Sequence, residues 1–144
     1  MSAPFDLGRY VASIETRVDS HYANQVVSLG IITELFGMAG TKLAYMLDGD
    51  GGYMAKFENL EFLAPVYQGD FVRATARLEA IGNTSRRRIY EAHVTARCHG
   101  IGTQPSHGEL LDAPLLVARA IGITVTPLPL QRLTPAAVRG RPKP

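Results

Sequence analysis

The chain has 144 residues, of which 46% are hydrophobic and 19% are charged, and its formal net charge is +2. This length lies in the usual range of one domain, and the composition is that of a globular protein, which excludes a mainly disordered chain. The small net charge gives no reason to expect a nucleic-acid partner. A single cysteine, Cys98, excludes an internal disulfide, and we expect a protein of the reducing cytoplasm.

The first residues, MSAPFDLGRYVA, contain Asp6 and Arg9 and lack the basic start and long apolar run of a signal peptide, so we expect none. The longest apolar segment, residues 26–47, is interrupted by Glu34 and Lys42. We therefore predict neither a membrane span nor a membrane partner.

The hydrophobic pattern predicts the elements in chain order. Residues 10–18 predict a strand, and apolar side chains at three- and four-residue spacing predict a helix from Val26 to about Leu47. The glycines of DGDGG, residues 48–52, end this helix. Alternating patterns then predict four strands, at residues 53–63, 70–81, 86–97 and 115–126. The segment 100–114 is predicted to be a long loop.

One long helix followed by mostly antiparallel strands predicts an α+β protein of the hotdog fold. In this fold a long central helix is wrapped by a curved, mostly antiparallel sheet, here of five to six strands. We predict a single hotdog domain at residues 1–127, and a proline- and arginine-rich tail at residues 128–144 that is partly disordered or packed on a neighbour. Because one chain cannot cover the helix flank and the sheet edge, we expect a homodimer or a higher homo-oligomer.

Two groups of residues indicate a pocket. Directly before the helix lies a polar cluster formed by Asp19, His21, Tyr22 and Asn24. Such side chains are poor core material and need water or a substrate. On the helix itself, one face carries a stripe formed by Gly30, Glu34, Gly37 and Thr41. We interpret the polar cluster and the helix stripe as two walls of one pocket, where the glycines let a substrate approach the backbone.

Plainer interpretations remain open at this stage. Asp19 can cap the turn before the helix, His21 can be a structural hydrogen-bonding residue, and Tyr22 can be an ordinary wall residue. Glu34 can be solvated or paired with a cation instead of functional. The histidines show no paired spacing that would indicate a metal site.

The chain resembles the 3-aminobutyryl-CoA ammonia-lyases and the related β-alanyl-CoA ammonia-lyases, which are hotdog proteins, in three segments: HYANQVVSLGIITELFGMAGTKL, DGDGGYMAKFENLEFLAPVYQGDFVRATARLEAIGNTSR and APLLVARAIGITVTP. The most specific features are the His-Tyr pair, DGDGG and GNTSR, in this order. The turn in EFLAPVYQGD is widespread in hotdog thioesterases and dehydratases. The chain differs from the family pattern at residues 23–25, where Gly-Gly-Asn is usual, and at Ser28 and Met38, near which acidic residues are common.

The resemblance implies an enzyme that catalyses the reversible loss of ammonia from a short 3-aminoacyl-CoA, giving the enoyl-CoA. It implies no cofactor besides the CoA of this small-molecule substrate. We predict that Glu34 is the base at the α-carbon and that His21, held by Asp19 or Tyr22, serves the leaving group. The predicted substrate-binding residues are Asn24, Gly30, Gly37, Thr41, Asn83, Thr84, Ser85, Arg86 and Arg87.

The two arginines in that set are suited to the phosphates of CoA, although a run of arginines at a strand start can also be a solvated edge. Alternative functions are an acyl-CoA thioesterase, which needs nearly the same pocket, and a non-catalytic acyl-CoA-binding protein. A hotdog enoyl-CoA hydratase is disfavoured, because its usual Asp-four-residues-His spacing is absent after Asp19.

Overall fold

The computed structural model describes residues 7–19 and 23–134. Its helix α1 spans Leu29–Asp48, and its strands are β1 (Val11–Arg17), β2 (Tyr53–Phe62), β3 (Phe71–Ile81), β4 (Ser85–Arg97) and β5 (Glu109–Val125). Short 3-10 helices lie at Leu7–Arg9 and Leu128–Leu130. The predicted order of one strand, one long helix and four further strands is confirmed.

The five strands form one sheet in the order β1-β3-β4-β5-β2, and every neighbouring pair is antiparallel. The helix α1 packs against β1, β3 and β4 on one face of the sheet. This is the hotdog arrangement, so the predicted fold class is confirmed. Within the described part of the chain, no helix is both long enough and apolar enough to cross a membrane.

The helix α1 buries one face, with core residues at three- and four-residue spacing: Ile32, Leu35, Phe36, Ala39, Leu43 and Leu47. Phe36 packs against the rings of Phe57 and Tyr90, with centroids 6.3 and 5.4 Å away. The helix ends at Gly49, which has φ of 68° and donates its N–H to the carbonyl of Tyr45 at 3.0 Å. The opposite face of α1 is left to solvent in the protomer.

The helix begins three residues later than predicted. Val26 pairs with Ala23 and Tyr67 in isolated bridges, because a tight turn precedes it, and α1 starts only at Leu29. The strand β5 begins at Glu109, six residues before the predicted start, so the predicted loop at residues 100–114 is too long. The early part of β5 is almost entirely exposed, and a strand with no buried face lacks the alternation on which the prediction depended.

The described part of the predicted tail folds back on its own chain. Leu133 packs against the core, and the N–H groups of Arg132 and Leu133 donate to the carboxylate of Asp48 at 2.9 and 3.0 Å. Residues 135–144 lie outside the described residues, and the domain boundary at residue 127 stays a prediction.

Candidate active site

Two members of the polar cluster, His21 and Tyr22, lie outside the described residues. Asp19 is exposed and pairs with Arg17, with Nε and Oδ1 3.2 Å apart. Asn24 is exposed and has a left-handed backbone with φ of 50°. The roles predicted for all four residues stay predictions.

The segment before α1 is held by a tight turn. Asn24 and Gln25 both have positive φ, and Val26 donates its N–H to the carbonyl of Ala23 at 2.8 Å. The turn is tied to the chain at residues 66–68, because Val27 donates to Val66 and the carbonyl of Gln25 accepts from Gln68, both at 2.8 Å. These bonds place the start of α1 against the turn that follows β2.

A buried carboxylate organises that second turn. Asp70 is fully buried and binds Arg97 through both oxygens, at 3.0 and 2.8 Å, while Tyr67 donates its N–H to Asp70 at 2.8 Å. The ring of Tyr67 stacks on His99 at 3.9 Å, and His99 Nδ1 lies 2.9 Å from the side-chain oxygen of Gln25. The aspartate of EFLAPVYQGD therefore serves the architecture around the helix start.

The helix stripe lies on the outer face of α1. Gly30, Glu34 and Thr41 are exposed, and a Cβ added at Gly37 would meet nothing within 4 Å. Among the described residues, no side chain forms a hydrogen bond or an ion pair with the Glu34 carboxylate. The structure thus brings the four stripe residues together as one open wall, with a free carboxylate in its middle.

A cavity of about 220 Å³ opens beside the C-terminal half of this stripe. Gly37 and Thr41 line it from α1, residues 51–54 line it before and at the start of β2, and its inner wall consists of Arg88, Tyr90 and Thr124. All three inner side chains are buried and carry polar atoms without a hydrogen-bond partner among the described residues.

Burial changes the pKa of two groups in this wall. It lowers the pKa of the Arg88 guanidinium, and it raises the pKa of the Tyr90 hydroxyl. The two groups are close enough to oppose these shifts in one another, but the structure forms no well-aligned hydrogen bond between them. A guanidinium is so basic that it stays cationic at neutral pH despite the lowered pKa, and the raised pKa keeps the phenol neutral.

The predicted phosphate-binding turn is occupied by contacts within the chain. The carbonyls of Asn83 and Thr84 accept from Gln131 Nε2 at 2.7 Å and from the N–H of Thr126 at 2.8 Å. Ser85 accepts the N–H of Gly82 at 2.9 Å. These hydrogen bonds of the turn thus run within the turn or to the C-terminal segment, and not to the helix stripe.

Its two arginines are paired as well. Arg86 is fully buried and donates to both oxygens of Asp48, at 3.2 and 3.1 Å. Arg87 binds Glu58 at 3.0 Å and Glu79 at 2.9 Å on the other face of the sheet. The phosphate role stays a prediction, and the position of Arg86 favours a structural role instead.

The inner wall of the cavity was missed by sequence reasoning. On β4, Arg86, Arg88 and Tyr90 are buried at every second position, in phase with the apolar residues that follow. The alternation of the strand extended back through the arginines, and it was the signal that could have placed them inside.

No group of three histidine, cysteine, aspartate or glutamate side chains within residues 7–19 and 23–134 is suited to a metal ion.

Comparison with known proteins places this site in context, although no family model matches the chain. The 3-aminobutyryl-CoA ammonia lyase of Acetoanaerobium sticklandii is 35% identical over 116 residues, which cover 79% of this chain and 90% of that protein. The β-alanyl-CoA:ammonia lyase from Clostridium propionicum superimposes with a TM-score of 0.79 and 25% identity, over 89% of this chain and 92% of the other.

More distant structures share the fold alone. A hexameric thioesterase from Yersinia pestis has a TM-score of 0.62 and 18% identity, with 90% of each chain covered. A hexameric hotdog thioesterase of Campylobacter jejuni has a TM-score of 0.68 and 15% identity, over 88% of this chain and 91% of the other. The family resemblance found in the sequence is confirmed, and the chain belongs to the family of the 3-aminobutyryl-CoA ammonia lyases.

Proposed function

We propose that this protein is a carbon–nitrogen lyase that catalyses the reversible β-elimination of ammonia from a short 3-aminoacyl-CoA, giving the enoyl-CoA. The observation that carries the proposal is the 35% identity with a 3-aminobutyryl-CoA ammonia lyase over 90% of that protein. The reaction uses no cofactor besides the CoA that the substrate carries.

The structure supports Glu34 as the group that removes the α-proton. A general base must be able to reach the substrate and must be free to take a proton. Glu34 is exposed on the outer face of α1, has no partner among the described residues, and stands between Gly30 and Gly37, where the backbone is accessible. An acyl thioester lying along the helix stripe would bring its α-carbon to this carboxylate.

The enolate oxygen that forms needs hydrogen-bond donors. The start of α1 supplies backbone N–H groups with the favourable end of the helix dipole, and Ser28 at the N-cap makes no side-chain capping bond that would occupy them. We place the thioester carbonyl at this end of the helix. His21, with Asp19 or Tyr22, then serves the departing ammonia.

A second copy of the chain would complete the pocket. The outer face of α1 exposes Met38, Tyr45 and Met46, and the free edge strand β2 exposes Tyr53 and Met54. Large apolar side chains on an unpaired sheet edge and the adjacent helix face favour burial against a partner. We propose a homodimer or a higher homo-oligomer with the acyl-CoA bound between protomers.

The test incubates the protein with crotonyl-CoA and ammonia, and it measures both ammonia addition to the double bond and release of free CoA. A lyase consumes the double-bond absorbance without releasing a thiol, whereas a thioesterase releases free CoA. Glu34→Gln should lower the rate of ammonia addition by about 10²- to 10⁴-fold and should stop exchange of the substrate α-hydrogen with heavy water.

Lys42→Gln is a matched control on the same helix, because Lys42 is exposed and donates to the carbonyl of Ser13 at 3.0 Å, outside the stripe. Release of CoA without loss of the double bond would refute the lyase proposal. Normal exchange in Glu34→Gln, together with lost exchange in His21→Gln, would reverse the two roles.

A further inference from the structure

The cavity beside the helix stripe has an inner wall of unpaired donors. Arg88 is 1% exposed, and its Nη1 donates to the carbonyl of Gly40 at 2.5 Å, but its Nε and Nη2 have no partner among the described residues. The hydroxyls of Tyr90 and Thr124, which are 0% and 4% exposed, are also unpartnered there. Because a guanidinium can only donate, a group that satisfies the two free nitrogens of Arg88 must accept hydrogen bonds, and the two hydroxyls can donate to the same acceptor.

The charge of this region is also uncompensated. Two buried guanidiniums, those of Arg86 and Arg88, share one buried carboxylate, that of Asp48, so one positive charge remains. Asp48 cannot turn to Arg88, because its oxygens already accept from Arg86, Arg132 and Leu133. A buried charge without a partner is costly, so the missing acceptor is best an anion with a single negative charge.

Glycines hold the wall in place. A Cβ at Gly40 would lie 2.5 Å from the Tyr90 hydroxyl and 3.1 Å from Arg88 Nη1, and a Cβ at Gly122 would overlap the Tyr90 ring. Tyr90 therefore lies close to the backbone on two sides, and Arg88 lies close to it at Gly40. The side towards Gly37 is open, since a Cβ there meets nothing within 4 Å.

The position of the cavity along α1 identifies the part of a substrate that would enter it. Gly37 and Thr41 lie roughly 5 to 10 Å beyond Glu34 along the helix axis. With the thioester near the helix start and the α-carbon at Glu34, the end of the acyl chain beyond the β-carbon points to the cavity. A β-ammonium group would be repelled by Arg88, so it does not occupy this space.

The size of the cavity limits the ligand further. Its volume of about 220 Å³ is below the roughly 300–1,000 Å³ of pockets that hold drug-sized ligands, so the nucleotide part of CoA does not fit. The end of a short acyl chain does. A carboxylate there would accept from the two free guanidinium nitrogens and from the hydroxyls beside them.

We infer that the cavity binds a carboxylate at the far end of the acyl chain, so that the preferred substrates are 3-aminoacyl-CoA derivatives of short dicarboxylic acids. This inference rests on the proposed function for the orientation of the acyl chain. The carboxylate would neutralise the uncompensated charge of Arg88 and complete its hydrogen bonds.

The inference is tested by the binding of glutaryl-CoA and butyryl-CoA to the full chain, measured by calorimetry. Neither thioester can lose ammonia, so their binding reports on the cavity whether or not the protein is a lyase. Glutaryl-CoA should bind about tenfold or more tightly, the gain expected from a charge-assisted hydrogen bond. Equal dissociation constants would overturn the inference.

Three variants test which residues cause the preference for glutaryl-CoA over butyryl-CoA. Arg88→Met should bring the Kd of glutaryl-CoA to that of butyryl-CoA. Thr124→Val keeps shape and should reduce the preference, and Gly37→Ala should reduce it by narrowing the open side without a clash. Arg119→Met is the matched control, because Arg119 is exposed and paired with Glu61 outside the cavity, so the ratio of the two Kd values should not change.

The remaining outcomes are also decisive. If Arg88→Met weakens both thioesters equally, the cavity holds the thioester oxygen instead, and the inference fails. The kcat/KM for ammonia addition is then compared between glutaconyl-CoA and crotonyl-CoA, which are the unsaturated forms of the same two ligands. A preference for glutaryl-CoA in binding without ammonia addition to either substrate would refute the proposed function and leave the carboxylate site standing.

Discussion

Two arginines that stand two residues apart on β4 have opposite surroundings. Arg86 and Arg88 are both buried, at 0% and 1% exposure, and both point towards α1 from the inner face of the sheet. Arg86 is satisfied by the Asp48 carboxylate and the Leu133 carbonyl, whereas Arg88 has one backbone partner and two unpartnered nitrogens. Burial of a charge is therefore no sign of function by itself. The indication of function is a buried polar atom that has no hydrogen-bond partner.

The contrast between Arg86 and Arg88 is tested first by removing Asp48, the partner of Arg86. Asp48→Ala leaves a buried guanidinium without its carboxylate and two backbone N–H groups without their acceptor, so it should lower the free energy of unfolding by about 3–5 kcal/mol. Urea denaturation of the variant and the wild type measures this difference. Glu61→Ala is the control, because it removes an exposed pair with Arg119 and should cost at most about 1 kcal/mol.

The second way is to replace each arginine with methionine. Arg86→Met leaves Asp48 buried without its cation and should cost about 3–5 kcal/mol, in the same range as other broken buried pairs. Arg88→Met loses the bond to the Gly40 carbonyl but also removes an uncompensated charge, so its net cost should be about 1 kcal/mol or less. Equal costs in urea denaturation would show that Arg88 is paired in solution and would contradict the contrast.

Two glycines of α1 should give effects of opposite sign. Gly40→Ala forces a Cβ to within 2.5 Å of Tyr90 and should cost about 1–3 kcal/mol through overpacking. Gly37→Ala meets open space and should instead gain about 0.5–1 kcal/mol, because alanine favours a helix more than glycine does. Thermal unfolding of the two variants gives shifts in Tm of opposite sign. A loss in both variants would mean that the side of the cavity at Gly37 is not open.

The fold was predictable because its core segments are strongly periodic. The strands β3 and β4 alternate over most of their length, and α1 carries a continuous buried stripe, so each element has one consistent local signal. The start of β5 at Glu109 was not predictable in the same way. Its first residues have almost no buried face in the protomer, and only the pairing with β4 makes them a strand.

The candidate site was predictable in part. The stripe with Glu34 could be predicted because helical spacing alone places its residues on one face. The buried side of the pocket could not, because arginines are mostly exposed and a run of three suggests a solvated strand edge. Its assembly also depends on contacts between distant residues, such as Arg88 with Gly40, which no local pattern encodes.

The hydrogen bonds on Asp48 also bear on how long a folded molecule lasts. They join Asp48 to positions 38, 84 and 85 residues later, and because the last two are neighbours in one segment, two separate chain closures must precede them. We expect this cluster to assemble late in folding, after β4 has paired and the segment at Arg132 has folded back. Interactions that form after the transition state slow unfolding without speeding folding. The buried carboxylate of Asp48 at the helix end should therefore affect the rate of unfolding more than the rate of folding.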